Sequence, residues 1–344
     1  MCSKYETKVE RKNLVGIING RKSPDRETGN KTCVKVTAPS TIANLGPGFD
    51  VFGLAHSALK DIVEIELSEM RGIEIKVDGV DSKYIPSEPD KNSAGHVARL
   101  FSNRFPKGYG LKIHIEKGIP VSKGLGSSGA SAAGCIVGLN RLLGLKLSNN
   151  QLVNFASKGE FVSAGIDHAD NVAASIIGGF TIIKSYKPLQ IMSLTPPSNM
   201  GIALAIPRMP LVKNKTRKAR KILPNDVPIK SFIHNVGHAS SIVAGILLGD
   251  VGMVGQGMSD VIVEPIRSKL IPGYNSVKKN ALCAGASGVA ISGAGHTMMA
   301  IVDENKASTL KVAESMKSAF ENEGVACEIL TSKPSKGALI IEEK

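Results

Sequence analysis

The residues Pro120-Val-Ser-Lys-Gly-Leu-Gly-Ser-Ser-Gly129 carry the clearest chemistry in the chain. Gly124 and Gly126 allow the backbone to curl so that its N–H groups turn inward. The small residues from Ser127 onward read as a helix, whose N-terminus holds roughly half a positive charge. An inward-facing loop before a helix start suits a phosphate chain, and Ser128 would offer a hydroxyl to Mg²⁺. The Walker ending Gly-Lys-Ser/Thr is absent, as is a Rossmann Gly-x-Gly-x-x-Gly with its downstream acid. A tight turn that merely packs a helix would use the same glycines, so the loop alone leaves both readings open.

Two other glycine strings flank it: Ala38-Pro-Ser-Thr-Ile-Ala-Asn44-Leu-Gly-Pro-Gly-Phe-Asp50 and Ile291-Ser-Gly293-Ala-Gly295-His-Thr297. Asn44 and Asp50 suit ordinary turn chemistry and also suit a polar ligand. Charged and amide side chains gather at His168-Ala-Asp170-Asn171, with Glu160 upstream. Arginines stand at Arg220, in Thr216-Arg-Lys-Ala-Arg220-Lys-Ile-Leu-Pro224, and at Arg267, in Glu264-Pro-Ile-Arg267. Arginine is the side chain suited to a bidentate grip on a carboxylate.

Taken together, Pro-x-x-x-Gly-Leu-Gly-Ser-Ser and its two companion strings resemble the three motifs of the GHMP kinases, in the form carried by homoserine kinases. His296 stands where relatives usually have Pro, and Gly129 where they usually have Ala. The resemblance spans most of residues 32–300. It implies an α+β, two-layer fold with an N-terminal ribosomal-protein-like domain (32–195) and a C-terminal ferredoxin-like domain (196–344). It also implies ATP and Mg²⁺ as cofactors and L-homoserine as the small-molecule partner. The nucleotide would meet Pro120, Lys123, Gly124, Leu125, Gly126, Ser127, Ser128 and Gly129, with Gly293 and Gly295 beside them and Asn92 near the adenine. Ser128 and Glu160 would hold the metal. Asp50 and Asp170 would bind the ammonium, Arg220 and Arg267 the carboxylate, while Asn44, His168 and Asn171 orient the rest. Thr216 would cover the γ-phosphate. Asn171 as an orienter with direct proton transfer to the phosphate, and Asp170 as a base, are the two alternatives for the proton.

The elements that must position these groups are partly readable. Residues 34–38, 61–67 and 111–115 alternate as strands. A helix is expected over 127–143, ended by Gly144. A second opens at Ser148 with Gln151 as a capping box, and a third runs from Asp170 to Gly178-Gly179. Later helices are expected over 231–248 and 306–320, and strands over 202–206, 289–292, 298–302 and 327–330. The uncharged run 281–302 is long enough to suggest a membrane span, but its glycines and His296 predict strand–loop–strand. A domain boundary is expected in Thr195-Pro-Pro-Ser198.

With 42% hydrophobic and 21% charged residues in 344, the chain can build a core without disulfides or metals. Its five cysteines are odd in number and lack a Cys-x-x-Cys pair, which fits a reducing cytoplasm. His234 and His238 share a helix face without a third ligand nearby, too few for a metal site. Residues 1–31 mix acids with bases and read as a disordered tail, not a signal peptide. The net charge of +13 permits a nucleic-acid partner, an anionic substrate or plain solubility. The basic cluster over residues 213–221 has no interleaved aromatic residues, so neither nucleic acid nor membrane is expected as a partner. A homodimer is left open. The alternatives are another GHMP kinase, of shikimate or mevalonate type, and a basic RNA-binding protein.

Overall fold

The computed structural model describes residues 32–164, 168–212 and 215–344. The tail expected over 1–31 and Lys213 of the basic cluster lie outside the described residues. Eleven strands form two sheets: β1 (Cys33–Asn44), β2 (Gly48–Ser68), β3 (Ile73–Gly79), β4 (Gly110–Lys117), β5 (Phe180–Tyr186), β6 (Leu189–Leu194), β7 (Met200–Pro207), β8 (Gly288–Ile291), β9 (Met298–Asp303), β10 (Cys327–Ser332) and β11 (Leu339–Glu343). The helices are α1 (Ser93–Arg99), α2 (Ser127–Leu142), α3 (Asn149–Ala164), α4 (Asp170–Ile177), α5 (Lys215–Lys221), α6 (Ile229–Leu248), α7 (Val251–Gln256), α8 (Glu264–Arg267), α9 (Tyr274–Cys283) and α10 (Thr309–Asn322).

The first sheet runs β11-β1-β2-β4-β3, with β5 on the leading half of β2 and β6 beside β5. Alternation makes one face of it apolar: Val34, Val36, Val63 and Ile65 are fully buried, and Ile113 and Ile115 nearly so. Helix α2 lies on that face. Its glycines permit the close approach, because a Cβ at Gly134 would stand 2.6 Å from Val63 Cγ2, and one at Gly138 2.8 Å from Ile65 Cδ1. The capping box is present: Ser148 N donates to Gln151 Oε1 at 2.9 Å and Gln151 N to Ser148 Oγ at 3.4 Å.

In the second sheet the order is β10-β7-β9-β8, all antiparallel. Numbered from its own first strand this is 4-1-3-2, the ferredoxin-like arrangement that was expected. Ala203 and Ala205 of β7 pack with Val277, Val312 and Phe320 of α9 and α10, while Ile202 and Leu204 join Ile242 and Val254 in the larger core. With both faces covered, β7 and β9 are buried at every residue instead of alternating. The run 281–302 closes as the end of α9, then β8, a loop and β9. By length and composition α6 could cross a membrane, yet Ile242 and Ile246 sit in the core and Asn235 donates to Asp260 Oδ1 at 2.8 Å.

The chain passes from the first sheet to the second between Leu194 and Met200. The expected second unit ran from 196 to 344; within that span β11 hydrogen-bonds to β1 of the first sheet.

Candidate active site

The three glycine strings meet at one place. Gly124 has φ 81°, and a Cβ there would lie 2.2 Å from Ser292 O. Ser292 Oγ donates to Gly124 O at 2.6 Å, and Thr297 N to Lys123 O at 3.3 Å. The first string joins through Gly293 N to Ala43 O (3.2 Å) and Thr41 N to Leu125 O (3.2 Å). Asn44 ties the corner from both ends, its Nδ2 donating to Gly293 O at 3.2 Å and its Oδ1 accepting from Asp50 N at 3.2 Å.

Helix α2 starts at Gly126, φ 68°, and no side chain among the described residues caps it. Its first-turn N–H groups are therefore available to an anion. Ser127 turns its hydroxyl to Ile119 O at 2.8 Å and so serves the loop itself. Ser128 Oγ donates to Glu160 Oε2 at 2.9 Å. Burial raises the Glu160 carboxyl above its ordinary range, against the Ser128 hydrogen bond. A buried carboxylate beside a hydroxyl is a hard-oxygen pair that a small divalent cation would satisfy. Among the described residues no three His, Cys, Asp or Glu gather as a metal cage. His234 and His238 are stacked 3.9 Å apart, His234 against Ser259 Oγ and His238 against a backbone oxygen.

Across the cleft lies a charged corner. Arg220 of α5 holds Asp50 with both terminal nitrogens, Nη1 at 3.1 Å from Oδ1 and Nη2 on Oδ2. His168 Nδ1 stands 3.5 Å from Asp50 Oδ1. Burial works to raise Asp50, but the hydrogen bonds from His168 and Arg220 prevail and hold it below the usual range. Burial likewise works against the His168 charge, and Asp50 and Asp170 overcome it, so His168 is raised. Asp50 and Arg220, each expected to face a ligand separately, thus form a pair. Arg267 of α8 is 5% exposed; its Nη1 donates to Gly293 O at 2.9 Å, while its buried Nε has no partner among the described residues. The Phe49 ring lies about 5 Å from both guanidinium groups, at 5.1 Å for Arg220 and 5.0 Å for Arg267.

Between loop and corner sits Asn171. Its Oδ1 accepts from Thr41 Oγ1 at 2.8 Å, and its main-chain N donates to Asp170 Oδ1 at 2.8 Å. Asp170 is 3% exposed, and burial together with the Asp50 charge raises it against the pull of His168.

All the residues to which the resemblance gives a nucleotide, metal or substrate role line this cleft except Gly129, one step inside α2. An alanine Cβ at Gly129 would meet Asn171 Cβ at 3.4 Å, an ordinary contact, so the departure there is sterically neutral. Asn92 lines the cleft beside Tyr84, Ile85 and Pro86, but its polar atoms are engaged: Oδ1 caps α1 through Ala94 N and Gly95 N, and Nδ2 donates to Pro86 O at 2.8 Å. Asn92→Ala is accordingly expected to cost about 1 kcal/mol of stability, read from a urea midpoint, with KM for ATP nearly unchanged.

Four lining or supporting residues were not picked out from the sequence. Thr41 fixes Asn171 and abuts Gly126, and Phe49 carries the two arginines. Lys117, 3% exposed, joins Asp61 Oδ2, Ser127 O (2.8 Å) and Ser131 Oγ (2.9 Å) under the loop. Lys215 reaches Ser122 O at 2.9 Å and also Gly295 O.

A ferredoxin-like unit joined to a loop-and-helix phosphate cradle, with a charged corner opposite, defines the class of the GHMP kinases. The description "GHMP kinases N terminal domain" matches residues 92–179 and "GHMP kinases C terminal" matches 242–322. The chain is 45% identical to a homoserine kinase of Methanococcus vannielii over 78% of its own length and 87% of that protein. Against a homoserine kinase of Halorubrum lacusprofundi the figures are 39%, 90% and 100%. The crystal structure of a homoserine kinase from Cytophaga hutchinsonii superposes with a TM-score of 0.84 at 34% identity, covering 92% of this chain and all of that one. The chain belongs to the homoserine kinase family.

Proposed function

We propose that this protein transfers the γ-phosphoryl group of ATP to the side-chain hydroxyl of L-homoserine, giving O-phospho-L-homoserine and ADP on the way to threonine. One observation carries the choice of substrate: the Asp50–Arg220 pair and Arg267 share a cleft with the uncapped start of α2. A free amino acid presents an ammonium and a carboxylate side by side, complementary to an acid–arginine pair. Asp50 and Asp170 receive the ammonium, and Arg220 and Arg267 the carboxylate. His168 and Asn44 brace Asp50. The hydroxyl then points toward Asn171, next to the phosphate loop.

The main-chain N–H groups from Gly124 to Gly129 cradle the phosphates, and Thr216, exposed on α5, covers the terminal one. Ser128 and Glu160 would hold Mg²⁺, which neutralises charge between the β- and γ-phosphates when bound. The hydroxyl oxygen forms a bond to Pγ as the bond from Pγ to the bridging oxygen breaks, and ADP departs with that oxygen. Asn171 orients the hydroxyl, whose proton passes to the phosphoryl group. Asp170 as a base is the second reading, favoured by its raised carboxyl. Unpaired cysteines among the described residues accord with a cytoplasmic setting.

An ADP-release assay with Mg-ATP and L-homoserine, mevalonate, shikimate and galactose tests the reading. Turnover of homoserine alone is expected; preference for any other acceptor would sink the corner as an amino-acid site. Glu160→Gln should raise the Mg²⁺ concentration for half-maximal rate by about tenfold or more. An unchanged Mg²⁺ requirement would remove Glu160 from the metal.

A further inference from the structure

The cleft wall holds a lysine that the reaction as described does not use. Lys215, at the first turn of α5, is 8% exposed and yet lines the cleft. Its Nζ bridges two of the glycine strings, donating to Ser122 O in the phosphate loop at 2.9 Å and to Gly295 O in the third string. Both partners are neutral carbonyls. The charges acting on it are Lys123 of the phosphate loop and Arg267 of α8, both positive. His296 of the third string is near enough for the Lys215 and Lys123 charges to depress it. Glu160, on the helix packed against α5, is engaged by Ser128 and acts on Lys117. Among the described residues no carboxylate acts on Lys215. The other buried lysine of the wall, Lys117, is committed to Asp61 and Ser131.

We propose that Lys215 meets the terminal phosphates of the nucleotide and takes up a proton as they bind. The geometry suits this. A neutral amine has two N–H bonds, which the two carbonyls accept. Its third tetrahedral position is a lone pair, and it becomes an N–H donor toward phosphate once protonated. Burial, with Lys123 and Arg267 nearby, lowers the free group to about 7. A polyanion in the cleft reverses those costs and favours the charged form. The proton comes from solvent, and no bond of the nucleotide changes. The sign follows by linkage: nucleotide affinity is flat below the free-state value and weakens above it, by at most tenfold per pH unit.

This rests on the ATP-binding reading of the loop, and the test separates the two. Calorimetric titration of Mg-ATP without an acceptor, at about pH 8 in Tris and in HEPES, counts protons through the difference in buffer ionisation heat. Wild type should take up roughly half a proton or more, since the free amine is then mostly neutral. Lys215→Met should take up none and bind at least about tenfold more weakly. Lys215→Arg, always charged, should bind nearly as well as wild type with no uptake. It keeps the test decisive should Lys215→Met fail to fold. Uptake that persists in either variant, or is absent from wild type that binds, overturns the role of Lys215 alone. Absence of saturable binding by wild type overturns the nucleotide reading itself.

Discussion

Arg267→Ala is expected to raise KM for homoserine by 30-fold to several-hundred-fold while kcat changes little. The loss corresponds to roughly 2–4 kcal/mol for removing one partner of a buried carboxylate–guanidinium contact. The direction comes from position. Arg267 approaches the cleft from α8, is anchored by Gly293 O and Phe49, and keeps a buried Nε without an acceptor among the described residues. The carboxylate it would grip lies at the far end of homoserine from the reacting oxygen, so its hold is equal in ground and transition states. Asn171→Ala should behave in the opposite way, lowering kcat by about a hundredfold with KM little altered, because the proposed reading puts Asn171 where the hydroxyl would meet the phosphate. Steady-state kinetics on the two variants decides the matter. If Arg267→Ala lost kcat and Asn171→Ala lost only KM, the two roles would be wrongly assigned.

Lys117→Ala is expected to destabilise the fold by about 3–5 kcal/mol, visible as a large fall in the urea midpoint. Asp61 is fully buried; its Oδ1 accepts from Gly118 N and Ile119 N at 3.1 Å, and its Oδ2 from Lys117 and Ser131. Removing the lysine strands a carboxylate at the root of the phosphate loop. The double variant Asp61→Asn, Lys117→Met should regain much of the loss, because removing both charges leaves no unpaired ion. A single variant as stable as wild type would show that the pair does not support the loop.

The cradle was legible because it is local. Gly124, Gly126 and the small-residue helix stand within one turn of chain, and their backbone demands can be read from residue type. The two companion strings are equally local, and the order of all three fixed the class. What escaped was nonlocal. Lys117 sits in a strand as an ordinary charged residue, and its partner Asp61 lies on another strand. Lys215 belongs to a basic run with no feature that sets it apart from its neighbours, yet the fold turns it inward and leaves Thr216, Arg217 and Lys218 exposed. The pairing of Asp50 with Arg220 joins two residues that each appeared directed at a ligand. Strand β2 was read only over 61–67, because its leading half contains Gly53 and pairs with β5 instead of β4. Short helices such as α1, α7 and α8 offer too few turns for an apolar stripe to register.

Strand β11 closes the outer side of β1 through pairs such as Val34↔Glu343 and Thr37↔Leu339, and Lys344 N donates to Cys33 O at 3.0 Å. During synthesis, β1 is made early and β11 long afterward. Until residues 339–343 leave the ribosome, β1 is a naked rim carrying unpaired N–H and C=O groups. The nascent chain can complete its ferredoxin-like half before the half that was translated first. Expression should therefore be sensitive to the segment that encodes residues 339–343: stalling or premature release before it yields a product with the residues of its cleft encoded in full and one sticky border left open to other chains.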